Sequence, residues 1–358
     1  MKYAKYSILC AALIGLSLTA CNGSGPTKRV KPKNEVEVFV LSGQSNMEGS
    51  TYWRHPDNNT PLLENYFNEE GMDFSIVRDG MPNVLTSYYG FFHPNGWTQA
   101  HTASTDTSTP EARLTPNFQP TKVGMGVGDG GYADNPFFGP ELGMAYEITD
   151  YVGDGNPVYF IKCAFSGSGF ANGNYDSSRG SLDPDWGTRE DDPTISLWYL
   201  LKTYTNNCLD VIEEAGYKPV IRGFVWHQGE SGGGKPDYET SMRALLNDFK
   251  DLYQEYALDG DKDNIAFLDC TIYDGDSPTN YKNRDGVVET NVAKWAIANE
   301  SEDDLNFCIN ANHEEGGLGL DIGDEAKGGY NTYHYNTPDA FKLGQAYGQL
   351  ILEHDLLD

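Results

Sequence analysis

The chain has 358 residues, enough for one large enzyme domain, and sets 25 Lys and Arg against 53 Asp and Glu, a net charge of −28 at pH 7. With 39% hydrophobic and 13% aromatic residues it has material for a sizeable core, which excludes global disorder, while 40 Gly and 18 Pro announce many loops. No basic run beyond the N-terminal segment could neutralise a phosphate backbone, so nucleic acid is excluded as a partner, and neutral ligands fit more easily than anionic polymers.

Lys2 and Lys5 precede an apolar run from Tyr6 to Ala20 that is short for a membrane span and is followed by polar sequence, so it reads as the core of a secretory signal. It ends in Leu18-Thr19-Ala20-Cys21, which resembles a bacterial lipobox, where cleavage leaves the cysteine as a lipid-bearing N-terminus. The alternative is an ordinary secretory signal that contains a cysteine. Residues 1–20 are thus expected to be a lipoprotein signal peptide and residues 21–34 a flexible tether. The mature protein is expected to be lipid-anchored through Cys21 in the bacterial cell envelope, in the periplasm or at the outer membrane.

In the body, Val36–Leu41 is a β-branched run ending at Ser42-Gly43 and is the first expected strand. From about residue 50 to 138 the rhythm breaks into Gly, Pro, Asn, Thr and aromatics with no convincing long helix. This stretch is expected to be a long loop insertion over the site, with a separate small β module as the alternative. Further strands are expected at Pro157–Phe165, Val220–Trp226, Asn264–Ile272 and Leu305–Ile309, and a second irregular stretch at Gly167–Pro193. Helices are expected at Glu141–Tyr151, Ile195–Glu214, Tyr238–Ala257, Val288–Asn299 and Ala340–Glu353. Strands alternating with helices imply an α/β fold with a central parallel sheet covered on both faces, in one domain over residues 35–358. Such a sheet carries its site at the carboxyl ends of its strands.

Four cysteines of the body, Cys163, Cys208, Cys270 and Cys308, lack metal-site spacing and read as small buried hydrophobes, with a disulfide as the alternative. Asp259-Gly260-Asp261-Lys262-Asp263 opens like a calcium loop, but its twelfth position is Cys270 and not Glu, so an acidic helix-to-strand turn is the better reading.

The strand ends concentrate the chemistry. After the first strand comes Ser42-Gly43-Gln44-Ser45-Asn46-Met47-Glu48-Gly49, where Ser45 lies in a glycine-flanked turn that exposes a hydroxyl beside backbone N–H groups. After the second comes Ala164-Phe165-Ser166-Gly167-Ser168-Gly169, a turn with open amides, and after the third Trp226-His227-Gln228-Gly229-Glu230-Ser231. His334 stands before the last helix, whose start at Thr337-Pro338-Asp339 suits an N-cap and first turn. A hydroxyl, open amides, an amide side chain, a carboxylate and an imidazole are the parts of a serine hydrolase.

The blocks VLSGQSNMEG, KCAFSGSGF, WHQGES and the late histidine resemble those of the SGNH (GDSL-like) hydrolases, on the branch of the sialate O-acetylesterases and the acetylxylan esterases of carbohydrate esterase family six. The resemblance runs from Val36 to the C-terminus. It implies a flavodoxin-like three-layer α/β/α sandwich, removal of O-acetyl groups from carbohydrate and no metal or organic cofactor. It makes Ser45 the nucleophile and His334 the general base, with an oxyanion hole from the N–H of Ser45, the second block (Ser166, Gly167) and the side chain of Gln228. Where the family usually has Gly-Gly-Thr or Gly-Gly-Ser in that block, this chain has Ser166-Gly167-Ser168. Many members place Asp three residues before the histidine; here that residue is Asn331. The resemblance offers a second carboxylate, Glu230 of the third block, which some members use with the histidine, so the expected triad is Ser45, His334 and Glu230, with Asn331 as a helper.

His227 is expected to be packed or hydrogen-bonded and not a second base, and Gly139-Pro140-Glu141 to start a helix beside the site. Trp53, Tyr88, Tyr89, Phe91, Phe92, Trp97, Trp186 and Trp198 could stack on sugars, with core packing the default for each. The expected substrate is an acetylated neutral polysaccharide such as acetylxylan or its oligomers. Sialate O-acetylesterase activity is the runner-up, and a non-catalytic carbohydrate-binding lipoprotein a further alternative.

Overall fold

A strand without a polar face has to be covered on both sides, and the apolar runs of this chain are covered in that way. The computed structural model describes residues 31–91, 101–126, 135–153, 155–170, 196–230, 238–275, 286–301, 304–329 and 333–358. The leader, Cys21, most of the tether, Phe92, Trp97, Trp186 and Asn331 lie outside these residues. In chain order the elements are β1 Glu35–Gly43, α1 Ser45–Glu48, β2 Thr51–Tyr52, α2 Leu62–Glu70, α3 Phe74–Asp79, β3 Met81–Phe91, β4 His101–Thr102, α4 Pro110–Arg113, β5 Gln119–Thr121 and β6 Phe137–Phe138. There follow α5 Pro140–Val152, β7 Val158–Phe165, α6 Leu197–Glu214, β8 Lys218–His227, α7 Tyr238–Leu252, β9 Ala266–Cys270, α8 Val287–Ala298, β10 Asn306–Ile309 and α9 Thr337–Glu353.

Among the described residues the main sheet runs β10-β9-β8-β1-β7-β3-β4, with β5 also on β3. Pairing is parallel from β10 to β3 and antiparallel where β4 and β5 join β3. Along β1, Val36, Val38 and Val40 face one apolar cluster, shared with α6, α7 and α8. Phe39 and Leu41 face the other, shared with α2, α3, α5 and α9. This alternation of fully buried faces makes three layers, the expected α/β/α arrangement. β1 lies between β7 and β8, so chain connections leave it in opposite directions and its carboxyl end is a topological switch point. Gly43 pairs with His227, which brings the end of β1 level with the end of β8.

One expectation about the region 50–138 is corrected. Met81–Phe91 is not loop but an eleven-residue strand inside the main sheet, parallel to β7 from Val84 to Phe91. It shows no apolar run because its polar side chains are held by specific partners, Thr86 and Ser87 fully buried and Asn83 partly so. Thr86 Oγ1 meets Thr121 Oγ1 at 2.7 Å, Ser87 Oγ meets the Tyr204 hydroxyl at 2.7 Å, and Asn83 Nδ2 donates to Thr149 O at 2.6 Å. The expected helix Tyr238–Ala257 ends at Leu252 and passes into 3-10 turns at Gln254–Tyr256, Leu258–Gly260 and Lys262–Asn264. In the last of these Asp261 accepts from the Asp263 N–H, and Lys262 pairs with Asp251. Cys163, Cys208 and Cys270 are buried free thiols, and Cys308 is partly buried and also free.

The tightest helix contact holds the far end of the site. α5 and α9 approach until a Cβ on Gly344 would lie 2.2 Å from Pro140 O and 2.8 Å from Gly143 Cα, both backbone atoms. Replacing a helical glycine by alanine ordinarily gains roughly 1 kcal/mol of propensity. Here the clash outweighs that gain, because backbone cannot swing aside. Gly344→Ala is expected to lower stability by about 1–3 kcal/mol, read as a fall in the urea midpoint, and to lower activity by tilting α9, which follows His334.

Candidate active site

The site starts from the sharp turn that joins β1 to α1. Gly43 has φ +143°, and a Cβ there would lie 2.0 Å from His227 O, so only glycine lets β1 and β8 meet this closely. The next amide, Gln44 N, donates to His227 O at 3.0 Å, and Gly229 N donates to Gln44 Oε1 at 3.3 Å. With its entry fixed on both sides, the chain coils at once into α1, and Ser45 is the first helical residue. The first N–H groups of a helix have no intrahelical acceptor, so the Ser45 amide points off the end of α1 beside its own hydroxyl.

The end of β7 lies alongside. Gly167 takes the left-handed turn, φ +69°, while Ser166 is not among the residues with positive φ. A serine at the first position of the block is therefore tolerated without backbone strain. Ser168 Oγ donates to Gly43 O at 3.3 Å, and Gln228 Nε2 donates to Ser168 O at 3.0 Å, so the second and third blocks are bonded together. Gln228 is fully buried, and one donor of the amide expected at the oxyanion braces the Ser166-Gly167-Ser168 turn.

Asn46, next to Ser45, ties in the remaining residues. Its Nδ2 donates to Glu230 Oε1 at 2.7 Å and to Tyr333 O at 3.3 Å, and its Oδ1 accepts from Tyr335 N at 3.2 Å. Tyr333 and Tyr335 are the neighbours of His334, so one side chain holds the backbone on either side of that histidine beside the Ser45 turn. The structure thus brings Ser45, Glu230 and His334 to one buried locus, each less than a tenth exposed. α9 begins at Thr337 with Asn336 as its N-cap, and Asn336 Oδ1 accepts from Asp324 N at 3.1 Å and not from its own helix.

Glu230 also faces His227, whose Nε2 lies 3.4 Å from Glu230 Oε1. Burial by itself pushes the carboxyl up, but the imidazole beside it and the hydrogen bonds from His227 and Asn46 outweigh burial and hold Glu230 at about 2. His227 is fully buried and in contact with Tyr335, the packed position expected of it.

Sequence reasoning missed the buried cations that frame this locus. Lys162, on β7, pairs with Glu141 Oε2 at 3.0 Å and donates to Met125 O at 2.6 Å and Glu48 O at 3.1 Å. Burial lowers its pKa against the opposing pull of Glu141. Glu141 also accepts from Gly139 N at 3.0 Å, which caps α5 as it begins. On the far side, Lys294 of α8 pairs with Asp269 of β9 at 2.6 Å. The signal was a lone charge in a fully buried strand, Lys162 in VYFIKCAF and Asp269 in AFLDC, since such a charge requires a partner. Of the proposed sugar-stacking aromatics, Tyr89 and Trp198 belong to the core. Trp53 is only partly buried, with its indole N–H on Asn135 O at 2.9 Å.

A carboxyl depressed in the folded state stabilises the fold fully above its ordinary range and loses that contribution as pH falls through the folded value. For Glu230 the window runs from the ordinary carboxyl value of 4.5 down to about 2. The stability difference between wild type and Glu230→Gln, measured by urea unfolding, is expected to be constant at neutral pH and to shrink across that window.

No curated protein matches the chain. Among solved structures it is similar to NanS, with 14% identity over 91% of this chain and 99% of that one and a TM-score of 0.50. It is also similar to a protein from Arabidopsis thaliana (16% identity, 90% of this chain, 99% of that chain, TM-score 0.48) and to a carbohydrate acetylesterase from Xanthomonas citri (12%, 88%, 55%, 0.45). The likeness to NanS is one of fold. A family model described as carbohydrate esterase, sialic acid-specific acetylesterase matches residues 35–353, nearly the whole body. The chain therefore belongs to that family of carboxylic ester hydrolases, whose activity is removal of acetyl groups from carbohydrate.

Proposed function

We propose that the protein is a serine-dependent carbohydrate O-acetylesterase acting on acetylated neutral polysaccharide or its oligomers, acetylxylan-like in chemistry, with Ser45, His334 and Glu230 as its catalytic residues. The observation that carries this reading is the Asn46 side chain, which gathers the Ser45 turn, Glu230 and both neighbours of His334. Ser45 Oγ attacks the acetyl carbonyl as His334 takes its proton. The resulting oxyanion is met by the N–H groups of Ser45 and of the Ser166-Gly167 turn and by the second amide donor of Gln228, whose first holds that turn. Collapse expels the sugar hydroxyl, which receives the proton from His334. Water, deprotonated by the same imidazole, then cleaves the acetyl-enzyme to acetate. Glu230, held ionised, supports the imidazolium that forms in each half-reaction. Asn331, outside the described residues, keeps the helper role read from the sequence.

The preference for a neutral glycan rests on charge. The segment 321–324 runs antiparallel to 334–336, through Gly323 N to His334 O at 3.0 Å and Asn336 N to Asp321 O at 3.1 Å, and it places Asp321 and Asp324 beside the histidine. Lys327 pairs with Asp324 at 3.4 Å, so this cation is engaged by an acid of its own chain. Asp321 faces His313 Nε2 at 3.1 Å, so two acids share one lysine along this edge, and the acid in excess opposes a sialic carboxylate. The second reading, sialate O-acetylesterase, is favoured by the description of the family itself.

Acetate release by the detergent-solubilised full chain is expected from acetylated xylan and to fall by at least about 10³-fold in Ser45→Ala and His334→Ala. Faster release from O-acetylated sialic acid than from xylan would install the second reading. Serine-independent release, or none from either substrate by folded protein, would remove both. The address read from the leader is proposed as well: Cys21→Ala is expected to move the protein from the membrane to the soluble fraction and to abolish labelling by a fatty-acid probe.

A further inference from the structure

We propose that Glu48 is a positioning residue for the oxyanion turn, locking the end of β7 to the helical turn that carries Ser45 through two bonds of its own. The inference rests on the roles given above to Ser45 and the Ser166-Gly167 turn. Glu48 closes the α1 turn begun by Ser45, and only 1% of it is exposed. Its carboxyl oxygen Oε2 accepts the hydrogen bond of the Ser166 hydroxyl. Its main-chain carbonyl accepts from Lys162 Nζ at 3.1 Å. Both donors belong to β7 or the residue that follows it, so α1 is stitched to that strand at two points. Lys162 is itself immobilised by Glu141 and Met125 O, so the lower stitch does not slide. Gly90 on the neighbouring strand leaves the Glu48 side chain its place, because a Cβ there would lie 2.9 Å from Glu48 Oε1 and 3.2 Å from its Cγ.

The upper stitch depends on a feature of this chain: the residue at the first position of the second block is a serine, where the family usually has glycine. A buried hydroxyl needs a partner, and Glu48 supplies it. The consequence is kinetic. Oxyanion donors act only when they sit about 2.7–3.1 Å from where the charge develops. The distance between the Ser45 and Ser166-Gly167 amides is set by how α1 rests on β7. Loosening that contact leaves substrate binding intact and weakens only the transition state.

The test is steady-state hydrolysis of p-nitrophenyl acetate by the full chain, with Ser45→Ala as control, in Ser166→Ala, Glu48→Ala, Glu48→Gln and the double variant Glu48→Ala/Ser166→Ala. Ser166→Ala is expected to lower kcat about tenfold with KM within about twofold of wild type. Glu48→Gln, which keeps an acceptor oxygen, is expected to retain more activity than Glu48→Ala. The double variant is expected to be no slower than Glu48→Ala, because both changes break one interaction. Wild-type kcat in Ser166→Ala, a loss confined to KM, or losses that multiply in the double variant overturn the proposal. Should Glu48→Ala fail to fold, Ser166→Ala and Glu48→Gln decide it. Turnover that depends on Ser45 yet ignores Ser166 sinks the positioning role alone; turnover that survives Ser45→Ala sinks the esterase reading and this inference with it.

Discussion

The side-chain amide of Asn46 is the constraint on which the site depends. Three segments meet there that are far apart in the chain, the contacts spanning 184, 287 and 289 residues. An asparagine side chain offers two donors and a carbonyl with two lone pairs. Here both donors and the carbonyl are engaged, each with a group of different origin: a carboxylate, a main-chain carbonyl and a main-chain amide. The two bonds to main-chain groups add only roughly 1 kcal/mol each to stability, and the one to the carboxylate roughly 1.5–3 kcal/mol. Their geometric effect is larger, because a planar amide with all its roles assigned permits one arrangement of the three partners. Neither Asp nor Leu, though close in volume, could satisfy two acceptors and a donor at once.

Two buried ion pairs stand on either side of this locus, Lys162 with Glu141 and Lys294 with Asp269. Each fixes a helix against a strand, α5 on β7 and α8 on β9. Such pairs add little over apolar residues of the same shape, yet separating one costs roughly 3–5 kcal/mol. Their value is therefore register. Sliding α5 along the sheet would strand Lys162, and α5 in turn carries α9, the helix that follows His334. The packing of Gly344 against Pro140 extends the same chain of constraint to the C-terminal segment.

The sequence made the sheet legible wherever a strand was apolar on both faces, as at Val158–Phe165, and opaque where its polar groups were paired inside. β3 was hidden because Thr86, Ser87 and Asn83 look like turn residues until Thr121, Tyr204 and Thr149 are placed beside them. Ser45, Gln228, Glu230 and His334 were visible as residues at strand ends and before the last helix, since the topology of a parallel sheet delivers those positions to one edge. What could not be read was how they are held. Asn46 lies inside a quoted motif, but its partners are decided by packing, and the strut from Gln228 to Ser168 follows from the level at which β7 and β8 end.

Composition and site electrostatics act on different length scales. The net charge of −28 sits mostly on solvated side chains, and its field is screened over about 8–10 Å of salt solution. It bears on which large partners approach, and it disfavours polyanions. It does not decide the state of Glu230, which is set by groups at 2.7 and 3.4 Å in a place that salt does not reach. A strongly acidic protein would be expected to raise the pKa of every further carboxyl through repulsion. Glu230 is instead held at about 2, so the imidazole of His227 beside it and the local hydrogen bonds overcome both burial and the global field.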